Sequence, residues 1–431
     1  MKILLTGARI IDPFQNMDAS MDILLENGKI AKISADIAQS SKVKDSEKIK
    51  IIKLTGMIVV PGLIDMHTHL REPGLEYKEP IASGSAAAVA GGFTSIACMP
   101  NTSPINDNRS VTEFIKRKAV EAALANVYPI GAISNGSSGF QLTEFWDLKE
   151  AGIIALSDDG KPVMDAALMR RALEYAYSLG LPVISHCEDT NLSGNGLINE
   201  GYYSTILGLP GIPGIAEEAM VARDILIAEF TNTLVHIAHV STAGSVRLIR
   251  DAKKRGLKVT AETAPHYFTL TDEALQGYDT NFKVNPPLRS DVDVAAIKEG
   301  LSDGTLDVIA CDHAPHGRTD KEVEFEYAAN GISGLETSLS LSISLVQNNV
   351  LGWSELISKM SVNPARILNL PKGTLEVGAD ADITVIDPQL KWFVDVQAFR
   401  SRGKNSPFHG RRMQGKAILT IVGGEIKYDG R

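Results

Sequence analysis

The chain has 431 residues, 44% of them hydrophobic and 22% charged, with a formal net charge of −9. That balance excludes nucleic acid as an expected partner, because phosphate binding needs a basic face, yet local positive charge in a pocket still admits a small anion. No apolar run reaches the roughly 18 residues of a membrane span, and the three dispersed cysteines, Cys98, Cys187 and Cys311, fit a reducing cytosol.

The chain opens with short alternating segments, ILLTGARIID, DILLENGKIAKIS and KIIKLTGMIVV, and Asn27-Gly28 marks a hairpin turn. The apolar part of MKILLTGARIIDPF is too short for a secretion signal, so a cytoplasmic protein is expected. QSSKVKDSEK, at 39–48, reads as a polar surface loop. From about Pro61 to Leu370 short apolar strands alternate with amphipathic helices. The strand candidates after the first are TSIACMP, VYPIGAIS, GIIALSDDG, PVISHCED, LVHIAHVST, KVTAETAPH, TNFKVNPP and DVIACDHAPH. This rhythm predicts a (β/α)8 TIM-type barrel over 56–368, with chemistry on the loops after the strands. The Gly- and Asn-rich run 191–214 is long enough to be a working loop near the mouth. The last segment, with GTLEVGADADITVID and AILTIVGGEIKYDG, again reads as strands. Segments 1–55 and 369–431 are therefore expected to pair into one small β-sandwich.

The strongest chemical signal is PGLIDMHTH, where period-two spacing turns Asp65, His67 and His69 to one face of a strand. Two imidazoles on a strand end make an incomplete metal site that needs further ligands. His186, His239, Asp159 and Asp312 each sit at the carboxyl end of a predicted strand, where barrel enzymes keep their active sites. His236 and His239 lie three apart, so only one can face inward; His239 is the better ligand and His236 is expected to face the helices. Four imidazoles and two carboxylates exceed one tetrahedral zinc, which points to two zinc ions per chain, with one also compatible. Asp312 is the candidate acid/base, taking a proton from water and returning it to the amide nitrogen.

PGLIDMHTHLREPG, MPNTSP, SDDG, SHCED, AHVST, NPPLRS, CDHAPH and GKNSPFHG together resemble the bacterial type I dihydroorotases of the amidohydrolase superfamily, over essentially the whole chain. That resemblance implies zinc-dependent, reversible cyclisation of N-carbamoyl-L-aspartate to dihydroorotate in pyrimidine biosynthesis. It assigns His67, His69 and Asp312 to one zinc, His186 and His239 to the second, and Asp159 to the bridge. It also implies that His69 contacts the substrate as well as the metal, that Arg71, Asn101 and His316 hold the substrate carboxylate, that Asn285 holds the ring, and that the backbone at Asn330 and Gly331 touches it. A homodimer and a complex with aspartate carbamoyltransferase are further expectations of the family. Two departures stand out. Lys161 lies beyond the strand end, so no carboxylated lysine is expected, and Asn330 replaces the phenylalanine usual before Gly331. The rival readings are a hydantoinase, dihydropyrimidinase or allantoinase on the same fold, and a metal-free scaffold for aspartate carbamoyltransferase. Arg71 argues against the first two, because a neutral ring would leave a buried guanidinium unpaired.

Overall fold

A computed structural model of the protein describes residues 2–35, 37 and 49–431. The polar stretch expected as a surface loop, 39–48, lies outside the described residues. Asn27 and Gly28 both take positive φ, 52° and 77°, as a two-residue turn matched to strand twist requires. They join Met17–Glu26 to Lys29–Ser34 in antiparallel register.

The chain ends meet in one eight-stranded sheet. Lys2–Asp12 pairs with Met17–Glu26, Ile49–Lys53 and Ile58–Pro61, and the last of these pairs antiparallel with Ile383–Phe393, which continues to Arg412–Val422 and Glu425–Asp429. A register shift between Leu5 and Ala8 divides the first strand. The parts of the sheet on either side share one core, in which Ile3, Ile23 and Ile52 pack with Val385, Leu419 and Ile421. Ile58–Pro61 falls inside the span the sequence assigned to the barrel, but its partners place it in this flanking sheet.

Eight parallel strands then close on themselves: Leu63–Thr68, Phe93–Cys98, Asn126–Pro129, Leu156–Ser157, Val183–Ser185, Val235–Ile237, Val259–Thr263 and Val308–Ile309. Parallel bridges Gly131–Leu156 and Thr68–His313 join the partial sheets and seal the ring. Alternation along the strands separates two environments. Val183, Val235, Val259 and Ile309 pack with helix residues such as Ala172, Met220 and Ile249, whereas Ala97, Ala155, Ile184 and Val308 pack with one another. Because all eight strands run the same way, all their carboxyl ends open at one mouth.

One expectation fails here. TNFKVNPP is not a strand: Thr280–Phe282 is a single helical turn, and the ring is complete without it. The run 191–214 folds on its own account, with Ile198–Asn199 and Gly211–Ile212 pairing in parallel around helix Tyr202–Leu207. It packs through Leu197, Leu207 and Leu209 against Leu275 and Phe325, and none of its residues lines the cavity at the mouth. Among the described residues, no helix is long and apolar enough to cross a membrane.

Candidate metal centre and active site

The six predicted metal-type side chains converge at the mouth, all buried. Nε2 of His67, Nδ1 of His186 and Nε2 of His239 lie 3.3, 3.5 and 3.4 Å from Oδ1 of Asp159. The other oxygen, Oδ2, lies 3.5 Å from Nε2 of His69. Asp312 presents Oδ1 to His69 Nε2 at 3.1 Å and to His67 Nε2 at 3.6 Å. Two atoms bound to one tetrahedral zinc at about 2.0–2.1 Å stand about 3.3–3.4 Å apart, so this is the spacing of ligands around a cation. Two donor groups are compact enough to hold an ion, His67 with His69 and Asp312, and His67 with Asp159 and His239. His67 Nε2 and Asp159 Oδ1 are buried without a hydrogen-bond partner. An unsatisfied buried acceptor is costly, and a divalent cation would satisfy both atoms.

The backbone bends to bring these groups together. His239 and Asp312 have positive φ, 31° and 47°, so strict inside–outside counting stops at the strand ends. Asp158 and Asp159 do split as parity predicts: Asp158 accepts from the backbone N–H of Ile133 and Ser134 at 2.9 and 3.1 Å. Asp65 stays out of the cluster. Its carboxylate accepts from the N–H of His67 and of Cys311, each at 3.0 Å, tying the first barrel strand to the last, and burial pushes its pKa up to about 7.

Sequence reasoning missed the groups that orient these ligands. Glu262 Oε1 lies 2.5 Å from His67 Nδ1, which leaves Nε2 of that ring directed at Asp159. His236 was expected to face the helices, but it pairs with Ile184 and Thr260 on the interior face. There its Nδ1 lies 2.8 Å from Thr260 Oγ1 and its Nε2 3.3 Å from Glu262. Glu188 lies 3.1 Å from His186 Nε2 and accepts from Asn285 Nδ2 at 2.9 Å. Burial opposes charge on Glu188 and Glu262, but their histidine partners hold both near a pKa of about 2. For His186 burial opposes protonation, and Asp159 and Glu188 outweigh it, raising the pKa to about 9. The available signal was an acid at a strand end in SHCED and in TAET, without a sequence partner to give it meaning.

Beside the cluster lies a cavity of about 230 Å³ lined by His69, Arg71, Asn101, Asp159, His186, His239, Asn285, Asp312, His316, Asn330 and Gly331, among others. Every predicted substrate-side residue is therefore on its wall. Asn101 Oδ1 accepts from His69 Nδ1 at 2.9 Å. Arg71 is buried, and its guanidinium lies 3.3 Å from the Pro315 carbonyl and 3.5 Å from His316 Nε2. Among the described residues no carboxylate pairs with it, and burial lowers its pKa to about 10. His316 Nε2 also lies 2.8 Å from the Asn330 carbonyl, and Lys78 Nζ 3.3 Å from its Nδ1. Burial, with Arg71 and Lys78 nearby, lowers the His316 pKa to about 2. Asn330, which stands where phenylalanine was expected, is exposed.

A closed parallel barrel with imidazoles and carboxylates gathered at its carboxyl mouth defines an enzyme of the amidohydrolase class, and residues 217–428 match the Amidohydrolase family. Residues 56–245 match the Dihydro-orotase-like family. The chain is 64% identical over 428 residues to a dihydroorotase of Syntrophus aciditrophicus, covering 99% of each. It is 57% identical over 427 residues to one of Pelotomaculum thermopropionicum, covering 99% of this chain and 98% of that one. The chain belongs to the dihydroorotase family. Among solved structures it is similar to the L-hydantoinase (dihydropyrimidinase) of Arthrobacter aurescens, with TM-score 0.88 and 26% identity over 99% of this chain and 96% of that one. The dihydropyrimidinase of Brevibacillus agri NCHU1002 shares the fold, with TM-score 0.85 and 23% identity over 100% and 95% of the chains.

Proposed function

We propose that the protein is a zinc-dependent dihydroorotase that interconverts dihydroorotate and N-carbamoyl-L-aspartate in pyrimidine biosynthesis. The observation that carries the substrate assignment is Arg71, a buried guanidinium on the cavity wall with no carboxylate partner among the described residues. A buried unpaired charge is strongly unfavourable, and a planar guanidinium matches a carboxylate in geometry. Hydantoin and dihydropyrimidine rings carry no carboxylate to pair with it; dihydroorotate does.

In this reading His67, His69 and Asp312 would hold one zinc, His186 and His239 would hold a second, and the Asp159 carboxylate would serve both. When bound, the metals supply Lewis acidity to the ring carbonyl and lower the pKa of the attacking water. Asp312 lies on the cavity wall beside the cluster, where its carboxylate serves as the base. Asp312 takes the proton from water and returns it to the ring nitrogen as the C–N bond breaks. Ring closure reverses these transfers. Arg71, His316 and the Asn101 amide, whose Oδ1 is already engaged by His69, orient the substrate carboxylate. Asn285 and the backbone at Asn330 and Gly331 hold the ring.

The test is ring opening of dihydroorotate, hydantoin and allantoin by the zinc-loaded protein, side by side, with metal analysis. Turnover of dihydroorotate alone is expected. Turnover of hydantoin without dihydroorotate would overturn the substrate assignment, and a folded protein that binds no metal would favour the scaffold reading. The reading also places the enzyme in the cytosol. Its association as a homodimer, or with aspartate carbamoyltransferase, is checked by size-exclusion chromatography of the protein alone and of the mixture.

A further inference from the structure

The motif GKNSPFHG supplies none of the cluster and none of the cavity lining, yet one of its residues is fastened to the cavity wall. Asn405 is 4% exposed and lies between two loops that are separate in sequence. Its Oδ1 accepts from the backbone N–H of His316 at 2.9 Å and from Ser333 Oγ at 2.9 Å. Its Nδ2 donates to the carbonyls of Ala314 at 3.0 Å and Gly331 at 2.9 Å. A side-chain amide has two N–H donors and two acceptor lone pairs; both donors are used, and Oδ1 takes the His316 N–H and shares the single Ser333 hydroxyl proton with the Gly403 carbonyl, also 2.9 Å from Ser333 Oγ. The Asn405 backbone carbonyl adds a bond from Ser333 N–H at 2.8 Å. Gly403 admits the segment this closely: a Cβ there would stand 2.5 Å from Pro315 Cβ.

The groups that Asn405 ties together are those of the substrate side. His316 and Gly331 line the cavity next to Arg71, and the His316 ring meets the Asn330 carbonyl at 2.8 Å. None of the six metal-type side chains bonds to Asn405. Its influence thus falls on the wall that meets the ring and its carboxylate, not on the metal donors.

We propose that Asn405 is a positioning residue for substrate binding, fixing the separation of His316 from the Asn330–Gly331 backbone so that the C-terminal segment completes the cavity. This rests on the reading that the cavity binds dihydroorotate. Asparagine is required because the two loops offer both donors and acceptors. An isosteric aspartate keeps the acceptors for His316 and Ser333 but sets a carboxylate oxygen against the carbonyls of Ala314 and Gly331.

The experiment measures KM and kcat for dihydroorotate, zinc content and melting temperature for the full-length zinc-loaded protein, Asn405→Ala and Asn405→Asp. Both variants are expected to raise KM by about tenfold or more, with kcat within about threefold and zinc content unchanged. Aspartate is expected to be at least as harmful as alanine despite its matching size. If one variant does not fold, the other carries the test. An unchanged KM, a loss of zinc, or failure of both variants to fold would overturn the proposal and leave Asn405 a structural staple. A wild-type protein inert on dihydroorotate would overturn the substrate reading instead; an active wild type with unmoved KM in the variants would overturn only the role of Asn405.

Discussion

Replacing Glu262 by glutamine tests whether the metal centre is tuned from inside the barrel. Glu262 is 1% exposed, with Oε1 2.5 Å from His67 Nδ1 and Oε2 3.3 Å from His236 Nε2. Burial resists its charge, but His67 and His236 keep its pKa near 2, so it is ionised across the working range. It therefore fixes the tautomer of His67, whose Nε2 faces Asp159 with no hydrogen-bond partner. Glutamine keeps one acceptor oxygen but loses the charge and presents an amide N–H₂ to one of the two rings. Charge-assisted hydrogen bonds are about twice as strong as neutral ones, and removing the partner of a metal-bound histidine costs about 10–100-fold in affinity. At tenfold per 1.4 kcal/mol this is about 1.4–2.8 kcal/mol. Zinc dissociation constants for wild type and Glu262→Gln, from competition with a chromophoric chelator, give the comparison, with circular dichroism to confirm folding. A folded variant whose zinc affinity matches wild type would refute the argument that Glu262 orients His67 for metal.

Arg71→Met keeps much of the aliphatic stem and removes the fork. It is expected to raise KM for dihydroorotate by about 100-fold, near 3 kcal/mol for a charge-assisted pair, with full zinc content; loss of zinc would mean that Arg71 has been misread. Stripping the metal with a chelator is expected to abolish activity and lower the melting temperature, because the buried His67 Nε2 and Asp159 Oδ1 then lack partners. Zinc should restore both, and an unchanged melting temperature would contradict the metal fit. Burial raises the Glu336 pKa from 4.5 to about 7, although the backbone N–H groups of Arg400 and Ser401 favour the charged form. The folded state then binds more protons than the unfolded state over that interval, so this residue's contribution to stability falls as pH rises from 4.5 to about 7. In Glu336→Gln, urea unfolding at pH 5 and pH 8 should show a smaller stability difference than in wild type; an equal difference would assign the pH dependence elsewhere.

The period-two pattern of PGLIDMHTH and the placing of acids and histidines at strand ends made the six metal-type side chains legible, because each depends only on its own strand and on the rule that strand ends open at the mouth. Arg71 and Asn101 followed from motifs beside those strands. Counting parity still held just past the end of Leu156–Ser157, as Asp158 and Asp159 show, and it lost force where positive φ at His239 and Asp312 bends the ends. His236 was misplaced because parity said only that His236 and His239 point apart, not that the bent residue is His239. TNFKVNPP has the apolar content of a strand, but the ring already holds eight, and a count of strands is fixed by closure rather than by local pattern. Glu262 and Glu188 stood at strand ends and Asn405 stood within GKNSPFHG, but no partner in the sequence gave any of them a role. Glu262 acts on His67 from 195 positions away in sequence, and Asn405 on Gly331 from 74. Local preference selects strands, turns and the side chains that face inward; which distant acid or amide satisfies a buried hydrogen-bonding group is decided only when the barrel closes and the chain ends fold back upon it.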